Sequence, residues 1–152
     1  MELTTEIEEV LRNNISHFAT ASRDGKPNVV PVGVAEPISD NQVLLVDVLF
    51  NKTRNNLEDN PQVALAVTDL DNLQAYQIKG NAEIITSGEL FEKGLKIVQE
   101  KSAKRNQRMA EKINKLRDLE LKKRYEQITA WQKNLKPKAV VLINVTEIYP
   151  TM

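Results

Sequence analysis

From His17 to Ile85 the chain is a succession of apolar, strand-length runs with little between them long enough to carry a parallel strand back. A parallel pair needs a crossover of a dozen or more residues, usually helical, whereas antiparallel neighbours need only a tight turn. Here the separators are Asp24-Gly25, a hairpin dipeptide, and Ser39-Asp40-Asn41, a polar turn. They divide HFATAS, NVVPVGVAEPIS and the run VLLVDVL from Val43 to Leu49. QVALAVT, AYQIKGNAEII and, far downstream, KAVVLINVTEIY complete the set, the last closed off by Pro150. Five or six strands so connected predict an antiparallel sheet closing into a small barrel, in an α+β chain that is mainly β.

Helices flank this sheet. Leu3, Ile7, Val10, Leu11 and Ile15 share one helical stripe, with Thr4 or Thr5 as the N-cap. A short helix over KTRNNL is stopped at Asn60-Pro61, because the residue before proline disfavours the helical basin. Ser87 to Leu135 is helical by pattern, with stripes at Met109, Ile113, Leu116 and at Leu121, Tyr125, Ile128, Leu135. Gln99 to Arg108 has almost no apolar content and reads as the joint between two helices. The expectation is a single domain over residues 1–152, with an N-terminal helix and a helical insertion over about 89–136 before the last strand.

The chain has no cysteine, which excludes disulfides, thiolate metal sites and cysteine nucleophiles. A lone histidine, His17, makes no first-row metal site, and nothing beside it suggests a Ser-His-Asp arrangement. No apolar run approaches the length of a membrane span, and the acidic start MELTTEIEEVL lacks a signal-peptide pattern, so a cytoplasmic setting is expected. Net charge is zero but unevenly placed. Glu89 to Lys138 holds fifteen Lys or Arg against seven Asp or Glu, a net of +8, and the remainder carries −8. Such asymmetry is either a solvated helical face or a site for an anionic partner. A nucleic-acid partner is disfavoured, because the bases are mixed with acids and the aromatics sit at helical core spacing.

FNKTRNNLEDNP, beginning at Phe50, leaves an apolar strand through Asn51, Lys52, Thr53 and Arg54. A helix N-terminus offers unpaired N–H groups and a positive dipole, to which Lys52 adds a charge and Thr53 a hydroxyl. That grouping suits a phosphomonoester; a plain capped turn is the alternative.

In order and spacing, FATASRDGKPNVVPVGV, a strand, KTRNNLEDNPQVALAV and YQIKGNAEII resemble the FMN-binding split-barrel superfamily of pyridoxamine 5'-phosphate oxidase and small flavin-binding proteins. The resemblance spans Glu6 to about Thr86 and returns from Ala139 to Ile148. It implies a six-stranded antiparallel split barrel that forms a homodimer, with FMN at each edge of the dimer interface. It places the cofactor phosphate at Lys52 and Thr53, and the isoalloxazine edge along Pro31, Val32 and Gly33. The strand leading to the phosphate turn contributes Val48, Leu49, Phe50 and Asn51. Gly33 has a rationale of its own, since a residue without a side chain lets a flat ring approach the backbone; a barrel bend is the alternative.

The chain departs from the oxidase itself. VPVGVA, Val30 to Ala35, lacks the basic residue and the lysine that the oxidase carries there, and Asn51 stands where it has a basic residue. Its C-terminal tryptophan and arginine have no counterpart in AVVLINVTEIYPTM. The expectation is therefore an FMN-dependent oxidoreductase acting on another small molecule, fed by a nicotinamide donor, or a non-catalytic flavin carrier. No catalytic side chain is assigned. His17 is expected to be a half-buried structural histidine, with a proton donor to the flavin as the alternative. Asp47 is expected to be a solvent-facing edge residue, with a buried acid near the ring as the alternative. Trp131 and Tyr125 are expected to pack between helix and barrel, with cover for a flavin face as the alternative. The basic helical segment is expected to cover the flavin cleft and tune access by anionic substrates.

Overall fold

The computed structural model describes every residue except Met1 and Val48. Helix α1 (Thr5–Asn13) begins where the sequence places it, with Thr4 Oγ1 accepting from the Ile7 N–H at 3.4 Å. It buries Ile7, Val10 and Leu11. It stops short of Ile15, which is 62% exposed.

Strands β1 (Ser16–Ala21) and β2 (Pro27–Val32) form a hairpin whose turn puts Gly25 at φ +83°, a conformation that glycine adopts without a Cβ penalty. Next come β3 (Ala35–Ser39), β4 (Gln42–Asp47), helix α2 (Lys52–Asp59), β5 (Gln62–Asp69) and β6 (Gln74–Ile85). The chain ends with helices α3 (Glu89–Lys115) and α4 (Leu119–Lys133), then β7 (Ala139–Pro150).

All recorded pairings are antiparallel, in the order β2-β1-β5-β6-β7-β4-β3. Among the described residues there are seven strands rather than six, because NVVPVGVAEPIS breaks at Gly33-Val34. Its first half pairs with β1 and its second with β4. The two edges of the sheet are thus joined by two residues, which holds them within about 10 Å of each other. The sheet has to curl into a barrel split along that seam.

Alternation decides what lies inside. Phe18, Leu65, Ile78, Val43, Leu45 and Ile143 point inward and meet Val10 and Leu11 of α1 and Leu57 of α2. On the outer surface Leu44, Val46, Val140 and Leu142 form a second cluster beneath Leu90, Phe91 and Val98 of α3. Strand β4 is covered on both faces, which is why it reads as an unbroken apolar run. The close seat of α3 depends on Gly94, where a Cβ would run into the Val140 side chain.

Gln99 to Arg108 is not a joint. It lies inside α3, a helix of 27 residues, and the turn falls at Leu116–Asp118. Ala, Lys, Arg, Gln and Glu carry the helix through a stretch with nothing apolar to bury. Asp118 then caps α4, accepting from Glu120 and Leu121 N–H groups at 2.9 and 3.0 Å. Among the described residues no helix is long and apolar enough to cross a membrane.

Candidate functional site

The seam opens into a cleft of about 570 Å3. Pro31, Val32, Gly33 and Val34 form one wall, Leu49 and Phe50 another, and Val98, Lys101, Arg105 and Arg108 of α3 reach across. Both β2 and β3 are edge strands, so each has only one ladder neighbour. The outward backbone N–H and C=O groups at this seam have no strand to pair with. Among the described residues, its two chain neighbours aside, a Cβ built on Gly33 would meet nothing within 4 Å, so this glycine answers no crowding from them.

Of the residues the sequence nominates, the structure brings Pro31, Val32, Gly33, Leu49 and Phe50 into this cleft. Val48 lies outside the described residues. Asn51, Lys52 and Thr53 sit just beyond, at the start of α2, and do not line it. Asn51 is the N-cap residue but its side chain makes no cap bond, and Lys52 is exposed. Thr53 is buried to 1% exposure, with its hydroxyl oxygen accepting from Asn28 Nδ2 at 3.0 Å. Asn56 Nδ2 donates to Thr20 Oγ1 at 3.0 Å, so β1, β2 and α2 share one buried polar cluster. Asn28 escaped the sequence reading. Its only signal was its place opposite Thr20 on a hairpin whose register the turn fixes.

Asp47 is not the solvent-facing edge residue expected. It is 1% exposed, and its Oδ1 accepts the Phe50 N–H at 2.9 Å while Arg54 stands 3.7 Å from Oδ2. Burial pushes its carboxyl pKa up, opposed by the Phe50 N–H and by the charges of Arg54 and Lys138. The carboxylate pins the turn between β4 and α2, and Arg54 is thereby drawn toward Asp47. His17 is also misplaced by the sequence reading: it lies exposed on the outer face of β1. Trp131 is 55% exposed and packs into no core, and Tyr125, half-buried, lies under Lys112 Nζ at 5.0 Å. Neither aromatic lines the cleft.

The basic segment was expected over the cleft as a whole; the structure brings Lys101, Arg105 and Arg108 of α3 to its lining. Lys101 donates to the Arg12 carbonyl at 3.2 Å, fastening α3 to the end of α1. Burial lowers the pKa of its amine. Arg12 itself bridges Glu8 and Glu36.

A curled antiparallel sheet, joined across its seam and plugged by an N-terminal helix, is a split barrel with its cleft at the split. The chain belongs to the pyridoxamine 5'-phosphate oxidase family, whose model matches residues 3–152. An uncharacterized protein of Methanocaldococcus jannaschii is 32% identical over 151 residues, covering 98% of this chain and 80% of its own. The crystal structure of HupZ from Group A Streptococcus superposes with a TM-score of 0.69 at 24% identity, over 97% of this chain and 93% of that one. An FMN-binding protein from Syntrophomonas wolfei gives a TM-score of 0.66 at 18% identity, over 97% and 87% of the two chains.

Proposed function

We propose that the protein binds FMN in the seam cleft and serves as a flavin-dependent oxidoreductase on a small molecule other than pyridoxamine phosphate. The observation that carries this reading is the cleft wall. Edge-strand backbone at Pro31 to Gly33 offers unpaired donors and acceptors to the polar rim of a flat ring. The open space at Gly33 lets the ring come close. Beyond Phe50 the uncapped start of α2, with Lys52 exposed, is where the cofactor phosphate would be held. Thr53 would serve through its remaining hydroxyl proton, its oxygen being held by Asn28.

Bound there, FMN would supply the hydride or electron transfer. The chain's own part is binding, orientation and the exclusion of water. Among the described residues the cleft is lined by no His, Asp or Glu. That lining also favours the second reading, a flavin carrier that transfers electrons without acid–base chemistry of its own. The lack of a basic residue between Val30 and Ala35 supports a substrate different from the oxidase's.

Ile15, Val29 and Leu49 are 62%, 63% and 57% exposed, two of them on the rim of the cleft. Aliphatic side chains so placed support a homodimer that closes each site with a second copy. Light scattering of the flavin-loaded protein at micromolar concentration should show twice 17.2 kDa; a monomer would remove this part of the reading.

The deciding experiment is mass spectrometry of the ligand released on denaturation, followed by anaerobic titration with NADH and NADPH. FMN with bleaching by either nicotinamide supports the reductase, and FMN that ignores both supports the carrier. A deazaflavin mass would replace the cofactor, and a protein that takes up neither would overturn the proposal. Gly33→Ala should leave stability within about 0.5 kcal/mol, since its methyl meets none of the described residues beyond its chain neighbours, while weakening flavin binding.

A further inference from the structure

Phe91, Gly94, Val98, Lys101, Arg105 and Arg108 follow one another at alternating steps of three and four residues. Such spacing puts them on one stripe of α3. Over its first half the stripe is buried, with Phe91 and Val98 on the outer cluster of the sheet and Gly94 against Val140. Over its second half the same stripe runs past the sheet and faces the seam cleft with Lys101, Arg105 and Arg108. Positions that on a continuing sheet would be apolar are here cationic.

Among the described residues no carboxylate lies within ion-pair distance of Lys101, Lys104, Arg105 or Arg108. The one acid lining the adjoining groove, Glu36, already bridges Arg12. Lys101 is occupied by the Arg12 carbonyl, which fixes the helix and leaves Arg105 and Arg108 one and two turns further on. Between Gln99 and Lys115 there are six Lys or Arg and two Glu, so the excess belongs to this part of the helix. Like charges crowded on one stripe destabilise a helix unless something neutralises them. Two guanidinium forks set three residues apart match a phosphate or a pair of carboxylates.

We propose that Arg105 and Arg108 hold the anionic end of the second substrate, a small molecule bearing at least two negative charges as phosphate or carboxylate. Its remainder would lie in the apolar cleft below. This deepens the proposed function and rests on it, because the cleft is the flavin cleft. Arg105 and Arg108 are specificity residues for the incoming molecule and are not the anchor of the cofactor phosphate, which belongs to Lys52.

The test uses the full chain loaded with FMN, with pyrophosphate and citrate as probes followed by calorimetry and by perturbation of flavin absorbance. The double variant Arg105→Gln/Arg108→Gln should weaken the better probe on the order of 100-fold and leave FMN affinity within about threefold. Both side chains are exposed, so the fold should survive. A matched variant, Lys93→Gln/Lys96→Gln, removes the same charge from exposed positions outside the cleft and should change nothing. Preference for pyrophosphate would assign a phosphate ligand, and preference for citrate a polycarboxylate. Equal losses in both double variants would reduce the effect to net charge and overturn the proposal. So would loss of FMN but not riboflavin in Arg105→Gln/Arg108→Gln, which would make the arginines the cofactor's phosphate site. Failure of the unaltered protein to take up any flavin would instead overturn the functional reading beneath it.

Discussion

Phe18, Leu65, Ile78 and Ile143 are wholly shut off from solvent inside the barrel, whereas α4 buries no residue and leaves Leu119 74% exposed. α3 belongs to both regions: its first half lies on the sheet, and beyond Val98 only Ile113 is buried. The barrel is held by apolar burial and by ladders between residues far apart in sequence. The outer helical hairpin, formed by the second half of α3 and by α4, is held by local helix propensity, the Asp118 cap and contacts such as Lys112 over Tyr125. One region therefore carries the stability of the protein, and the other presents charge with little stake in the fold.

Paired truncations should give the largest effect and the plainest contrast. Phe18 is fully buried, with its ring centroid 5.9 Å from that of Phe50. Phe18→Ala should lower unfolding free energy by about 3–5 kcal/mol in a denaturant titration. Trp131→Ala, which removes a larger but 55% exposed ring, should cost within about 0.5 kcal/mol. Comparable losses would mean that α4 is buried in the assembled protein, and the contrast would fall.

Next in size is cofactor affinity, which sits where barrel meets turn. Lys52→Ala should weaken FMN on the order of 10- to 100-fold, the loss of one charge-assisted bond, and leave riboflavin nearly unchanged. Flavin fluorescence titrations give both constants. Equal losses for the two ligands would make Lys52 structural and move the phosphate elsewhere in the cleft.

The two regions were unequally legible in the sequence. Alternation, Asp24-Gly25, Ser39-Asp40-Asn41 and Asn60-Pro61 disclosed the strands and the ends of α2, because turn chemistry and side-chain parity are local. The break at Gly33 was not legible as a break: each half pairs with a different distant strand, and only closure of the sheet decides that. Asp47 was misread for a related reason, since an acid in an apolar run looks like an edge residue until the Phe50 N–H and Arg54 are seen to meet it. In α3 the absence of apolar residues between Gln99 and Arg108 suggested a joint. The three-four spacing was there, but with cations at the positions where a core was sought. Of the cleft, the backbone wall at Pro31 to Gly33 was nominated by resemblance, Gly33 also by its missing side chain, and the α3 wall as a basic segment expected over the cleft, without the residues that would face it.

A smaller effect should come from Asp47, the one buried acid among the described residues, which sits at the turn between β4 and α2. Burial raises its folded pKa above the usual 3.8, so the folded state holds this proton more tightly than the unfolded one. The resulting stability is fully present below about pH 3.8 and is lost as pH rises through the higher folded value. Asp47→Asn keeps an acceptor for the Phe50 N–H and removes the titration. The variant should therefore gain on the unaltered protein as unfolding is followed from pH 4 toward pH 7. A difference that stays flat across that range would show that the carboxyl is not held against ionisation.

The smallest effect on the barrel should follow the largest excision. Val98, Lys136 and Pro137 line one groove between α3 and the start of β7, so the ends left by removing Gln99 to Leu135 lie near one another. A short Gly/Ser linker can join them, and loop-closure cost changes only slowly with length. Leu90, Phe91 and Gly94 stay in place, so the outer cluster keeps its cover. What is lost is Ile113, the Lys101 bond to Arg12 and the cationic half of the stripe. The shortened chain should unfold within about 1 kcal/mol of the full one, with the same dependence on denaturant. Its flavin should be more open to solvent, and reduction by an anionic nicotinamide should lose much of its salt dependence, because the local positive potential has gone. A barrel that no longer folds would show that the hairpin is part of the core. A folded barrel that no longer holds FMN would place the hairpin in the cofactor site, and either outcome would end the division of labour between the two regions.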